Sequence, residues 1–487
     1  MLRKRLLSLM IIIFILAGCG ASERIDPLEM PGSAVRVTLP AASVQAPAET
    51  PAEAIQGETY YVATNGDDLN PGSALAPWRT LQHAVEQVLP GDTILVMSGT
   101  YQGMRIETSG SAQAWISLKA APGAQVIVNA PGPGNKHDSN IEIETWEGEG
   151  VVAYWIVEGL EVANAPGWGI DLRGSEDHKS HHLTIRNNKV HHNGVASGKT
   201  GIFAAFVDDL LIEGNESYAN GEHGVYVSNS SDRYVVRGNK LYQNQGCGVH
   251  QNGDASMGGD GILSDGVVEN NLIYGNGASG GAAINMDGVV NALVRNNLIY
   301  DNTATGIAIF QQDGAVCSQN NRILHNTILM PANGRWAVLI GGTGCTGNQL
   351  YNNIILSLHS YRGAISLPAP AVAGFESDYN IVADRFTTDD GDSILSLAQW
   401  QSNGYDLHSF LGLSDDLFVN SASKDFHLVE DSPAVDAGFD LPDVTADLDG
   451  QPRPSGDGYD TGAYEYQQMI GLDPRAYFAL IIARLTP

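Results

Sequence analysis

An asparagine-marked unit recurs through the middle of this chain, and it limits the fold more than any other feature. Ile185-Arg186-Asn187-Asn188 is followed by Ile212-Glu213-Gly214-Asn215, Val236-Arg237-Gly238-Asn239 and Val268-Glu269-Asn270-Asn271. Val294-Arg295-Asn296-Asn297, Ile323-Leu324-His325-Asn326 and Leu350-Tyr351-Asn352-Asn353 continue the series. The last Asn of successive copies are 27, 24, 32, 26, 29 and 27 residues apart, and the first five copies carry a second Asn five residues on. Between them, Gly169-Ile170, Gly201-Ile202, Gly224-Val225, Gly248-Val249 and Gly306-Ile307 each begin another short strand. A unit this small cannot bury an apolar face alone. Stacked units can, at the ~4.8 Å strand spacing, with each Asn over its equivalent so that side-chain amides bond along the stack. Leucine-rich repeats are the competing architecture, but the copies lack the L-x-x-L-x-L pattern. The expected fold is all-β, a right-handed parallel β-helix (a solenoid).

Composition agrees. Gly is abundant (56 of 487) and charged residues are few (17%), which suits short strands and turns better than helices. A hydrophobic fraction of 43% supplies a core, and a net charge of −29 excludes a nucleic-acid partner, since little here would neutralise phosphates. Thr80 caps an expected short N-terminal helix whose apolar face is Leu81, Ala84, Val85, Val88 and Leu89. Arg3, Lys4 and Arg5, an apolar run to Leu16, and Ala17-Gly18-Cys19 form an export signal. The small residues before Cys19 resemble the bacterial lipoprotein cleavage motif, which implies lipidation at Cys19 and display on the bacterial cell surface or outer membrane. The expected organisation is signal 1–18, a Pro/Ala-rich tether 19–57, β-helix 58–375, C-terminal coils and closing segment 376–466, and a tail 467–487. A monomer is expected.

Tyr60-Tyr61-Val62-Ala63-Thr64-Asn65-Gly66, Pro77-Trp78-Arg79-Thr80-Leu81, Pro90-Gly91-Asp92-Thr93-Ile94 and Gly99-Thr100-Tyr101 resemble the opening of the pectate-lyase-like β-helix superfamily. Ser432-Pro433-Ala434-Val435-Asp436-Ala437-Gly438, Asp447 to Pro454 and Asp460-Thr461-Gly462-Ala463-Tyr464-Glu465 resemble the closing segment of its bacterial surface members. The resemblance covers about residues 58–466. It implies an extended polysaccharide as partner; the superfamily holds lyases, glycosidases, epimerases and adhesins, so the reaction stays open.

Side chains alternate across a strand. With the residue after each Gly pointing inward, the outward pairs are Asp171/Arg173, Phe203/Ala205, Tyr226/Ser228, His250/Asn252, Asn285/Asp287 and Ala308/Phe310. Polar residues concentrate in the middle coils, with Phe203 and Phe310 as expected stacking platforms and the 253–261 segment, carrying Asp254 and Asp260, as an overhang. The same register turns the Gln251 amide inward. The preferred function is a polysaccharide lyase acting on a uronate-containing glycan, with His250 as base, Tyr226 as acid, Asn252 or Asn285 facing the carboxylate, and Asp287 orienting His250. A glycoside hydrolase using Asp287 with Asp254 or Asp260, and a non-catalytic glycan-binding or adhesive surface protein, are the alternatives.

Ca²⁺-dependent pectate lyases of this fold carry several strand Asp beside a Lys or Arg base. Here only Asp171 and Asp287 face outward, four coils apart, and Lys179 and Lys199 sit in loops, so that kind of Ca²⁺ site is not expected. Asp447, Asp449, Asp457 and Asp460 are candidate Ca²⁺ ligands elsewhere. His181-His182 and His191-His192 are adjacent pairs whose rings should diverge, and Asp208-Asp209 reads as a turn. Cys317 and Cys345 occupy nearly equivalent places in successive coils, so a disulfide is expected between them, with Cys247 free.

Overall fold

The computed structural model describes residues 55–145 and 150–467. The signal, Cys19, nearly all of the tether and residues 468–487 lie outside the described residues. The described chain winds into a right-handed stack of coils with three parallel sheets of 13, 11 and 12 strands, in each of which neighbours come from successive coils. No helix among the described residues is long and apolar enough to cross a membrane.

The asparagine ladder forms as the repeat requires. Asn188, Asn215, Asn239, Asn271, Asn297, Asn326 and Asn353 each donate from Nδ2 to the Oδ1 of the next, at 2.9–3.1 Å. The run goes on to Asn380 and ends on Asp406 of the following coil. A second ladder links Asn193, Asn220, Asn244, Asn276 and Asn302. The residue before each ladder Asn turns the chain with positive φ, which is why Asn or Gly so often precedes it: Asn187 (55°), Gly214 (63°), Gly238 (63°), Asn270 (55°). On the outer face of the 13-stranded sheet, Lys119, Glu158, Arg186, Glu213, Arg237, Glu269 and Arg295 stack with alternating sign, most of them ion-paired to a neighbour.

The N-terminal end is closed by the helix Leu81–Gln87, whose Thr80 side chain accepts from the His83 N–H. Leu89, expected on its buried face, is exposed because the helix stops at Gln87 and Val88 is already extended. At the other end, Trp400 of the helix Leu397–Ser402 stacks on Phe386 and donates to Asp406. The closing segment then runs back along the third sheet, burying Phe418, Phe426 and Leu428 against Tyr300, Ile354 and Leu356. Cys317 and Cys345 are bonded, with Cα atoms 4.8 Å apart, and Cys247 is free and buried.

Candidate functional site

The 11-stranded sheet stacks Asp171, Phe203, Tyr226, His250, Asn285 and Ala308 in one outward row, and Arg173, Ala205, Ser228, Asn252, Asp287 and Phe310 in the next. The alternate residues Leu172, Ala204, Val227, Gln251, Met286 and Ile309 are fully buried inside. The inward Gln251 amide is satisfied: its oxygen accepts from the Tyr234 hydroxyl at 2.5 Å, and its nitrogen approaches the Asn285 carbonyl at 3.4 Å.

Outward is not the same as exposed here. Asp171 is fully buried and held by Arg173 Nε at 2.8 Å, with burial raising its carboxyl to about 6. Phe203, expected as an open platform, is 8% exposed, because Trp168 and the Arg173 guanidinium lie over it. Ser228 donates to Asn229 and is buried, whereas Phe310 is half-buried. The 253–261 segment forms one wall. Gly261 N–H donates to Ser230, and Gly258 and Gly259 lie so close to Glu176 and Ser230 that a Cβ at either would come within 2.5 Å of them. Asp254 and Asp260 cap this wall from within, accepting from Ser256 and Ile262.

At the centre, Tyr226 and His250 are half-buried neighbours with ring centroids 4.4 Å apart, edge to face. Asn252 Nδ2 donates to the Tyr226 hydroxyl at 3.1 Å and to Asp313 at 3.3 Å. Asn252 therefore positions Tyr226, and Asn285 lies beside His250 in the same row. His250 Nδ1 lies 3.5 Å from Cys247 Sγ, and the ring stacks on His223 at 4.3 Å. Burial lowers His250 to about 4 and raises Tyr226 to about 12, so at neutral pH the imidazole is free to accept a proton and the phenol holds one.

Asp287 does not orient His250. Its carboxylate accepts three backbone N–H groups, from Gln312 (2.8 Å), Asp313 (2.8 Å) and Gly314 (3.1 Å), and so pins the loop that carries Asp313. Its strand position faced the right way, but the loop after Phe310 folds back onto it, and sequence spacing gave no sign of that. Sequence reasoning also passed over His223 and Trp168, which precede the strand glycines and rise beside the groove.

Among the described residues the one cluster of three metal-capable groups is His223, Cys247 and His250, within 4.8 Å of one another. Those nitrogens and sulfur are not the hard oxygens that Ca²⁺ takes. Nor do they suit a softer ion as placed: the two ring planes lie 11° from parallel, so their in-plane lone pairs cannot meet at one point, and His223 Nδ1 already accepts the Cys247 N–H at 2.9 Å. Asp208, Asp209 and Asp232 are each ion-paired to Lys179 or Arg233. Of the four candidates near the C-terminus, Asp447 and Asp460 spend their oxygens on backbone N–H groups, and Asp449 lies 2.9 Å from His427 Nε2. The histidine pairs do not diverge: His182 (φ 53°) and His192 (φ 55°) break the strand alternation, so each pair meets Nδ1 to Nδ1 at 2.8 Å.

The chain is 31% identical to pectate lyase PEL9 of Emericella nidulans over 144 residues, 28% of this chain and 35% of that one. It is 26% identical to the uncharacterized protein YwoF of Bacillus subtilis over 206 residues, 40% of this chain and 43% of that one. It thus spans well under half the length of these curated relatives. The crystal structure of pectate lyase Pel9A superposes with a TM-score of 0.57 at 19% identity, covering 85% of this chain and 98% of that one, which is a likeness of fold. Residues 60–337, more than half of the chain, match the family described as Pel9A-like, right handed beta helix region, and the chain belongs to that family.

Proposed function

We propose that this protein is a polysaccharide lyase acting by β-elimination on a uronate-containing glycan laid along the 11-stranded sheet. The observation that carries the reading is the Tyr226–His250 pair at the floor of the groove: a protonated phenol and a neutral imidazole side by side. In the tautomer that carries its proton on Nδ1, which lies 3.5 Å from Cys247 Sγ, the lone pair of His250 Nε2 is left to take the proton alpha to the uronate carboxylate. As that C–H bond breaks, a carbon–carbon double bond forms, the glycosidic C–O bond breaks, and the leaving oxygen takes the Tyr226 proton. The proton on His250 then returns to the Tyr226 phenolate. Asn285, next to His250 in the row, faces the carboxylate whose charge grows during abstraction.

Membership in a family that includes pectate lyases supports a polysaccharide substrate. Hydrolysis is less well served, because Asp287, Asp254 and Asp260 are each committed to loop hydrogen bonds. The test is a panel of uronate and neutral glycans followed by the ultraviolet absorbance of unsaturated product and by reducing ends. Both signals, lost together in His250→Ala and in Tyr226→Phe, bear out the reading. Reducing ends alone would mean a hydrolase, and binding without either would mean an adhesin. We also propose export and lipid anchoring at Cys19; a Cys19→Ser protein that stayed in the membrane fraction would overturn this.

A further inference from the structure

We propose that Lys199, Trp168 and Arg173 form a subsite for the carboxylate of a uronate residue, apart from the reacting bond; this rests on the groove's being a glycan site. Lys199 Nζ lies 4.4 Å from the centroid of the Trp168 ring, and the Arg173 guanidinium carbon lies 4.8 Å from the same ring. Arg173 Nε is taken by Asp171, but Lys199, half-buried, makes no ion pair among the described residues.

Two of the acids that face this cluster are already occupied. Glu142 is held by Arg105 and by the N–H groups of Lys136 and His137, and Glu144 by Arg105, Lys136 and His137. Glu222 accepts from the Thr200 hydroxyl and lies beside His223; Lys199 acts on it across space without an ion pair. A half-buried ammonium that has shed water without gaining a carboxylate is under-compensated, and contact with one indole restores only part of the loss. An anionic ligand restores the rest. The half-buried indole beside that ammonium adds apolar surface that a sugar ring can touch and a small inorganic anion would not use.

Position and charge point the same way. Lys199 leads into the coil of Phe203, two coils from His250, or roughly 10 Å at ~4.8 Å per coil. The subsite therefore reads a different residue of the same glycan from the one at His250. The chain carries −29 overall, so a polyanion is repelled at long range and needs local cations within about a Debye length to dock.

The experiment is titration calorimetry on the full chain with hexamers of galacturonate, mannuronate and guluronate, each beside its methyl ester, at low and high salt. At least one free acid should bind more tightly than its ester. Lys199→Met should weaken that acid about tenfold and flatten its salt dependence, as loss of one charge-assisted contact would, with the ester unaffected and Lys199→Arg restoring affinity. Equal affinity of Lys199→Met and the parent protein for the acid would overturn the subsite while leaving His250-dependent turnover standing. Equal losses for acid and ester would overturn it too, as a packing effect. Failure of every acid to bind the parent protein would overturn both the subsite and the lyase reading.

Discussion

Replacing Asp287 by Asn separates two roles that the same position could serve. In the structure its carboxylate pins Gln312, Asp313 and Gly314; Asp313 in turn accepts from Asn252, and Asn252 donates to the Tyr226 hydroxyl. An Asn keeps one oxygen, enough for Gln312 and Gly314, but turns an NH₂ group toward the Asp313 N–H. One charge-assisted bond worth about 1.5–3 kcal/mol is lost and two others weaken. Gln311 to Asp313 are exposed, so water recovers part of the loss. The net cost should be about 2–4 kcal/mol in urea unfolding. Catalysis should fall as well, because a loop shift of the order of 1 Å misplaces Tyr226, and such a displacement costs up to about 10²-fold. The acid limb of kcat/KM should not move, since Asp287 does not touch His250. A variant with parental stability and a shifted acid limb would refute this reasoning and return Asp287 to the role of orienting the imidazole.

Asn271→Ala should cost about 3–5 kcal/mol, because it strips acceptors from the Asn239 N–H and Nδ2 and donors from Val236 and Asn297, all buried; a loss below 1 kcal/mol in urea unfolding would argue against an energetic role for the ladder. Burial lowers His250 to about 4, so the unfolded chain binds more protons between about 4 and 6.5, and stability should fall as pH drops through that window; His250→Gln should flatten this part of the pH–stability curve, and an unchanged slope would show that the ring is not desolvated. By the same assignment, kcat/KM should be level from about pH 5 to 10, bounded by His250 near 4 and Tyr226 near 12, and an acid limb at the ordinary His value would count against His250 as base. Peptide mapping should find Cys247 alkylated only after unfolding, and Cys317 and Cys345 only after reduction; alkylation of Cys317 without reductant would exclude the bridge.

The architecture was legible in the sequence because its determinants are local and repeated. An Asn every 24–32 residues, preceded by a residue tolerant of positive φ, fixes the coil length and the ladder, and the alternation after each strand glycine fixes which side chains face out. The rows Asp171 to Ala308 and Arg173 to Phe310 therefore follow from spacing alone, as does the nearness of Cys317 to Cys345. What sequence could not decide is what lies above those rows. The irregular segments between strands have no period, and they determine which outward residues stay open. Trp168 and Arg173 cover Phe203, the loop after Phe310 takes the Asp287 carboxylate, and the 253–261 wall folds back to Glu176. The working character of Tyr226 and His250 likewise comes from contacts with Asn252, Cys247 and His223, 3 to 27 residues away in the chain. Exposure, hydrogen bonding and proton affinity are set by everything packed around a group, and a one-dimensional repeat carries only what neighbouring coils share.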